Sequence, residues 1–261
     1  MRRYLLPIFF LFLSLFVQSS RAWTRSEKEI RLPGELRVVN EGLSHDDEYW
    51  YLSNQHFLYK TRINPMTIVA SNHHAIPEEL GKQRYNHIGD IDVFEGVIYG
   101  GLESSEVSEG IIAAWNTSDL SLIKYKLTSQ HKMPWVAVNP KTRLLYSAVW
   151  NDCCNLQVYS VDTFDFVGTL TAVNGLPAEI QGAAFFEDDL YLAVNGNCSI
   201  YKLNMQTNET SFVLSDEPYD HHEMEMEGLT FWDLRSRGLG VMHMYGNFET
   251  LREKSIHSFN P

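Results

Sequence analysis

Gln181-Gly182-Ala183-Ala184-Phe185-Phe186-Glu187-Asp188-Asp189-Leu190-Tyr191-Leu192-Ala193-Val194 reads as two strands folded about an acidic turn. Residues 182–186 and 190–194 are apolar and carry the aromatic side chains Phe185, Phe186 and Tyr191, whereas Glu187-Asp188-Asp189 has the composition of a reversal. Two further short strands follow at 199–203 and 210–214, each bounded by polar turn residues. The unit therefore carries four strands in succession, designated A to D. Apolar residues recurring at a helical period are absent from it and from the rest of the chain.

The opening pattern of this unit recurs along the chain. Glu41-Gly42-Leu43-Ser44-His45, Ile88-Gly89-Asp90-Ile91-Asp92, Pro134-Trp135-Val136-Ala137-Val138 and Glu227-Gly228-Leu229-Thr230-Phe231 share it, and the marker position falls at 42, 89, 135, 182 and 228, giving spacings of 47, 46, 47 and 46 residues. The third unit repeats the whole layout, with strands over 135–138, 144–150, 156–161 and 166–171. Four antiparallel strands at a period in the forties describe one blade of a β-propeller, an all-β ring that leaves only short sheet edges. Five blades account for the chain. The last unit has strands over 228–231, 239–245 and 255–259 and then stops, so residues 27–32 are expected to supply its fourth strand and close the ring. Small residues at and two after most markers, with Phe185 and Phe231 on the opposite face, predict blades nested small against large.

Strand direction then gathers chemistry on one face. In an antiparallel blade, strand A starts on the face where strand B ends and where the D-to-A connections arrive; this is designated the upper face. Starts of strand A place Glu41, His87, Gln181 and Glu227 there, with Glu41 and Glu227 adjacent once blade five meets blade one. Ends of strand B add Asn54, Glu103, Asn151 and Asn195, and the D-to-A connections add His73, His74, His131, His221, His222, Glu223 and Glu225. Carboxylates and amide carbonyls about an axis are the oxygen ligands that a hard cation such as Ca²⁺ takes. Glu41, Asn151, Asn195 and Glu227 form the expected calcium set, and His87, Glu103, Gln181, His222 and Glu225 the expected ligand-binding set. Neighbouring acids also raise one another's pKa, which makes His87, Asp90 and Glu227 candidates for acid–base catalysis. The adjacent histidine pairs diverge on an extended backbone, and no H-E-x-x-H spacing occurs, so a zinc centre is not expected. Nor does the chain contain a G-x-S-x-G elbow, a phosphate loop or a dinucleotide fingerprint.

Residues 1–22 read as a secretory signal peptide: Arg2 and Arg3 precede an apolar run at 4–17, and Ser20-Arg21-Ala22 follows with small residues suited to cleavage. The 261-residue chain carries 21 basic and 33 acidic residues; removing the three leader arginines leaves residues 23–261 with a formal charge of −15, a poor surface for nucleic acid. Hydrophobic residues at 44% and aromatics at 13% exclude global disorder, and no later segment is long and apolar enough to span a membrane. Extracellular space or the lumen of the secretory pathway is the expected location, and no retrieval signal ends the chain. In such an oxidising compartment Cys154 and Cys198, at matching places in blades three and four, are candidates for an inter-blade disulfide, with a vicinal Cys153–Cys154 bond as the rival. Asn116, Asn197 and Asn208 open N-x-S/T sequons; those at Asn116 and Asn208 lie in C-to-D connections, on the lower face.

The stretch from 23 to 261 thus resembles a small secreted β-propeller. Calcium-dependent lactonases and esterases with six blades, and calcium-activated nucleotidases with five, are similar in architecture and hold calcium in the central channel with Asp, Glu and Asn side chains. Glu41, Asn151, Asn195 and Glu227 match those ligands in type and place. The blade number departs from the lactonases, and the basic residues that a nucleotidase needs for phosphates are not evident at the rim. Two functions follow. In the first, the upper face binds an extracellular protein, glycan or small molecule; of Trp50, Trp115, Trp135, Trp150 and Trp232, which could supply flat surface, Trp135 and Trp232 are expected in the core. In the second, a calcium-dependent hydrolase uses the same face.

Overall fold

The computed structural model describes residues 22–151, 154–216, 224–248 and 253–261. They form a five-bladed β-propeller in which every neighbouring pair of strands within a blade is antiparallel. Blade one comprises Leu43–His45, Tyr49–Ser53, Leu58–Arg62 and Ile68–Asn72; blade two comprises His87–Phe94, Val97–Glu103, Glu109–Asn116 and Leu122–His131. Blade three runs through Ala137–Asn139, Leu144–Ser147, Asn155–Ser160 and Phe166–Thr171, and blade four through Ile180–Phe186, Asp189–Val194, Ser199–Leu203 and Thr210–Ser215. Strand B of blade three ends at Ser147, three residues short of the Trp150 expected.

Ring closure takes the expected form with a break in it. Blade five has Glu225–Phe231, Met242–Phe248 and Glu253–Asn260, and its fourth strand comes from the N-terminal side in two pieces. Thr24 and Arg25 pair with Asn260 and Phe259, and Ile30 and Arg31 pair with Ile256 and Ser255. Among the described residues, 3₁₀ turns at Gly34–Val38, Asn195–Asn197 and Arg235–Arg237 and one short α-helix, Glu78–Lys82, depart from the all-strand reading. The α-helix sits in the D-to-A connection of blade one, opened by Pro77, with Glu78 and Glu79 in its first turn and Lys82 in its last, as the helix dipole favours. Among the described residues no helix is long and apolar enough to cross a membrane.

Apolar side chains gather into five clusters, one at each seam between neighbouring blades. Trp50, Trp115 and Trp135 are fully buried in them, so Trp50 and Trp115, expected as contact surface, are core. The Trp115 indole donates to the Ala75 carbonyl at 2.9 Å, and Trp232 stacks on His45 at 4.5 Å with 6° between the planes. Around the axis the A strands approach backbone to backbone. A Cβ at Gly89 would lie 1.8 Å from the Pro134 carbonyl oxygen, and one at Gly228 would lie 2.3 Å from the Leu43 amide nitrogen, so neither position admits a side chain.

Asp90 ties this hub together. Its carboxylate accepts backbone N–H groups from Leu43 of blade one at 3.0 Å, Ile91 of its own strand at 2.9 Å, Ala183 of blade four at 3.1 Å and Leu229 of blade five at 3.4 Å. Its own N–H donates to Pro134, which leads into blade three, at 2.9 Å. One residue thus bonds to all five blades. Two residues on, Asp92 accepts Val138 N–H at 2.8 Å and the Ser44 hydroxyl at 3.3 Å, and burial pushes its pKa up to about 6.

At the seam of blades five and one, His243 is fully buried, with Nε2 2.7 Å from the Trp232 carbonyl and Nδ1 2.8 Å from Ser258 Oγ. Burial pulls its pKa down to about 4. The unfolded chain, with an ordinary imidazole near pH 6.5, takes up this proton first, so stability is intact above about pH 6.5 and is lost as pH falls toward 4. Asp92 acts in the opposite sense, because its carboxyl ionises first in the unfolded chain and stability is lost as pH rises from about 4 to 6. The His243 contribution is therefore isolated by comparison with His243→Asn. Between pH 7 and pH 5, denaturant titrations should show the wild type losing about 2 kcal/mol more than this variant. Parallel curves would contradict the assignment of a neutral His243.

Candidate functional site

The upper mouth of the channel is built from the first residues of the A strands, as the strand polarity requires. Glu41 is 6% exposed; its Oε1 accepts the Asn40 side-chain amide at 2.7 Å, and its Oε2 lies 3.0 Å from His87 Nε2. Burial pulls the His87 imidazole down, but the hydrogen bond and charge of Glu41, with the charge of Glu103, more than offset it and leave the pKa above the usual value. Across the closing seam Glu227 is 4% exposed and accepts the Gln181 side-chain amide at 3.4 Å. Burial first, then the charges of Glu41, Glu225 and Asp90, hold its carboxyl well above the usual range, with Lys254 opposing. Glu41, His87, Gln181 and Glu227, drawn from four blades, thus share one mouth. Asp90 lies in the axis with its oxygens occupied by backbone N–H groups.

Residues expected at the ends of strand B turn instead to the backbone. Glu103 accepts the Met133 N–H at 2.7 Å, Asn195 accepts the Met226 N–H at 3.0 Å, and Asn54 accepts the N–H groups of His56 and Phe57 at 2.8 and 2.7 Å. Each satisfies a donor that the end of a strand would leave unpaired. Asn151 is exposed on the turn after strand B of blade three, and Glu225 opens strand A of blade five. His222, with His221 and Glu223, lies outside the described residues.

A cation at this mouth would meet two carboxylates, Glu41 and Glu227, and the Gln181 amide, with Asn195 already spending its carbonyl on a backbone donor. Calcium usually takes six to eight oxygens, so water would supply the balance. Among the described residues no three His, Cys, Asp or Glu side chains converge as metal ligands do.

The Cys154–Cys198 disulfide is not formed. Cys198 occupies a left-handed turn position at φ 47°, and its thiol is directed to the Met224 carbonyl at 3.4 Å within the cluster between blades four and five. That direction is away from blade three, where Cys154 lies. Cys153, and with it the vicinal alternative, lies outside the described residues. Asn116 and Asn208 flank the C-to-D turns of blades two and four, as expected for the lower face, and Asn197 is exposed beside Tyr201.

A second polar constellation escaped the sequence reading. Asp216 hydrogen-bonds His257 Nδ1, Ser255 Oγ lies 2.8 Å from His257 Nε2, and Arg25 reaches Asp216 at 3.1 Å and His257 Nε2 at 3.3 Å. Ser255 and His257 are two apart on one strand and so share a face, a signal that was available. Nothing in the chain announces that Asp216 and Arg25 join them. The side chains are of the types found in hydrolytic triads, but Ser255 is 3% exposed and His257 fully buried, so the cluster fastens the N-terminal strand rather than meeting a substrate.

Fold and site together define a five-bladed β-propeller with a carboxylate pair and an imidazole at its upper channel mouth. No family model matches the chain, and no curated protein does. Among solved structures it is similar to the crystal structure of Myxococcus xanthus glutaminyl cyclase, with a TM-score of 0.65 at 11% sequence identity, over 92% of this chain and 97% of that one. At this identity the likeness bears on the fold.

Proposed function

We propose that the upper face binds a small extracellular ligand through a cationic group seated between Glu41 and Glu227, a seat that a hard cation such as calcium also fits. One observation carries this reading: two buried glutamates from blades one and five, with His87 on one and Gln181 on the other, lie near enough for the charge of Glu41 to raise the pKa of Glu227. Burial and the nearby Glu41 charge oppose ionisation of Glu227 in the empty site, and an incoming cation relieves that opposition. Thermal unfolding with Ca²⁺ or glycinamide, each against a chelator-treated control, tests it. Ligand at a hundredfold above Kd should stabilise the wild type by about 2.7 kcal/mol, and the double variant Glu41→Gln, Glu227→Gln should lose the effect. A wild type indifferent to both ligands would overturn the proposal.

A second reading is favoured by the state of Glu227. A carboxyl whose pKa burial holds well above the usual range, near a carboxylate paired with histidine, is arranged to pass a proton. The similar solved structure is named a glutaminyl cyclase, and cyclisation of an N-terminal glutamine needs such a relay. The α-amino nitrogen bonds to the side-chain amide carbon, the bond from that carbon to the amide nitrogen breaks, and a proton moves from the attacking nitrogen to the departing ammonia. Glu227 would carry that proton. A calcium-dependent lactonase or esterase would use the same carboxylates to activate water. Ammonia release from a glutaminyl peptide, and turnover of a lactone and aryl-ester panel with and without chelator, separate catalysis from binding; either activity should vanish in Glu227→Gln.

A further inference from the structure

At the lower end of the channel lies a cavity of about 150 Å³ lined from every blade, because Ser44, Asp92, Val138, Phe185 and Thr230 each come from a different one. Glu41, His87, Gln181 and Glu227 do not line it. Between the two ends the A strands crowd the axis, where a Cβ at Gly182 would already lie 2.3 Å from the Glu227 carbonyl oxygen. The cavity is therefore separate from the upper mouth.

Its charge is one-sided. Asp92 is the one acid among its lining residues, and no Lys or Arg joins it there. Asp92 Oδ1 accepts the Val93 N–H at 2.8 Å and the Ser44 hydroxyl at 3.3 Å, and Oδ2 accepts the Val138 N–H at 2.8 Å. An ionised carboxylate has about four acceptor positions, so these three bonds leave room for a further donor. Ser44 spends its proton on Asp92 and keeps its lone pairs to accept, and Thr230 brings a second hydroxyl. His45 also lines the cavity, with Nε2 2.7 Å from the Phe231 carbonyl and Nδ1 2.8 Å from the Asp46 carbonyl. Burial pulls its imidazole below the usual pKa, so at pH 7 the ring is neutral and does not answer Asp92. Arg143 lies over the ring of Phe94, another lining residue, but Glu95 and Asp162 already hold its guanidinium at 2.6 and 2.9 Å. Among the described residues no cationic side chain bonds to Asp92.

The apolar part is held by packing: Phe185 meets Tyr146 at 5.3 Å, and Phe231 stacks on Phe186 at 4.6 Å. A cavity of this size takes a molecule about as large as benzene. A primary ammonium has three N–H donors, and Asp92, Ser44 and Thr230 offer an oxygen for each. We propose that the lower channel binds a small primary alkylammonium, its nitrogen at Asp92, Ser44 and Thr230 and its alkyl chain against Phe185 and Phe231. This site is independent of the upper-mouth reading.

Titration of the whole ¹⁵N-labelled protein with propylammonium chloride at pH 7, with sodium chloride as the control for ionic strength, tests it. The Val138 amide, which donates to Asp92, should shift and saturate, whereas tetrapropylammonium, too large for the cavity, should leave it in place. The Gln181 side-chain amide, on Glu227, reports the upper mouth separately, so each site can fail without the other. Asp92→Asn should weaken the binding seen at Val138 roughly tenfold or more, the worth of a hydrogen bond between charged groups. Thr230→Val keeps the shape of the side chain, should weaken binding severalfold, and decides the matter if Asp92→Asn does not fold. A Val138 amide indifferent to propylammonium would overturn the proposal, whatever Gln181 does. So would an equal response to tetrapropylammonium, or undiminished affinity in every variant that folds.

Discussion

Asp90→Ala should lower the stability of the propeller by about 4 kcal/mol or more, or prevent it from folding. The substitution removes the acceptor for four N–H groups, on Leu43, Ile91, Ala183 and Leu229, three of them in other blades. Each buried donor left without a partner costs about 1–3 kcal/mol, and the axis leaves no room for them to turn elsewhere. Part of the loss is offset, because burial holds the Asp90 carboxyl well above its usual pKa and its removal relieves that penalty. Asp90→Asn should fall between wild type and alanine, since it keeps one acceptor oxygen and turns an NH₂ group toward donors. Urea denaturation at pH 7 measures both. An alanine variant within 1 kcal/mol of wild type, the size of one ordinary hydrogen bond, would show that the hub does not depend on this side chain.

Asp216→Ala should cost about 3–5 kcal/mol and, more diagnostically, release the N-terminal strand. Asp216 is fully buried between His257 and Arg25, and its loss leaves His257 buried without its carboxylate and Arg25 without its principal anion. Arg25 is one of four residues of the N-terminal segment in strand register with blade five, with Ser26 and Leu32 adding backbone bonds to Ser258 and Lys254. Hydrogen exchange at Ser26, whose N–H donates to the Ser258 carbonyl, should accelerate far more than exchange at Ala183 near the axis. Equal acceleration at both sites would mean a general loss of stability and no clasp.

Much of the fold was legible because a blade is a local object. The spacing of Gly42, Gly89, Trp135, Gly182 and Gly228 counts the blades, and short β-prone runs bounded by turn residues mark the strands within each. The missing fourth strand of the last blade pointed to the N-terminal side, and the strands at Thr24–Arg25 and Ile30–Arg31 bear that out. Glu41 and Glu227 were brought together by the same logic, since polarity along a repeated blade carries every strand-A start to one face. The residues at the ends of strand B were harder to read. Glu103 and Asn195 lie on the correct rim, yet their oxygens bind backbone donors of a neighbouring segment, and that choice depends on which N–H group the next strand leaves unpaired.

By itself, then, the chain determined the number of blades, the strand order, the closure and the face on which acids and imidazoles collect, because each follows from contacts within a blade or from the near-regular repetition of the blade, which leaves one strand to be supplied from the N-terminal side. Only the tertiary structure decided what each side chain does at the seams. Asp90 and Asp92 are alternate residues of one strand and look equivalent in sequence, but the first binds N–H groups 47, 93 and 139 residues away while the second faces the lower channel. Cys198 turns toward blade five, and Asp216 meets His257 across 41 residues. Side-chain direction across a seam is set by how two sheets nest, and no periodicity within either sheet encodes it.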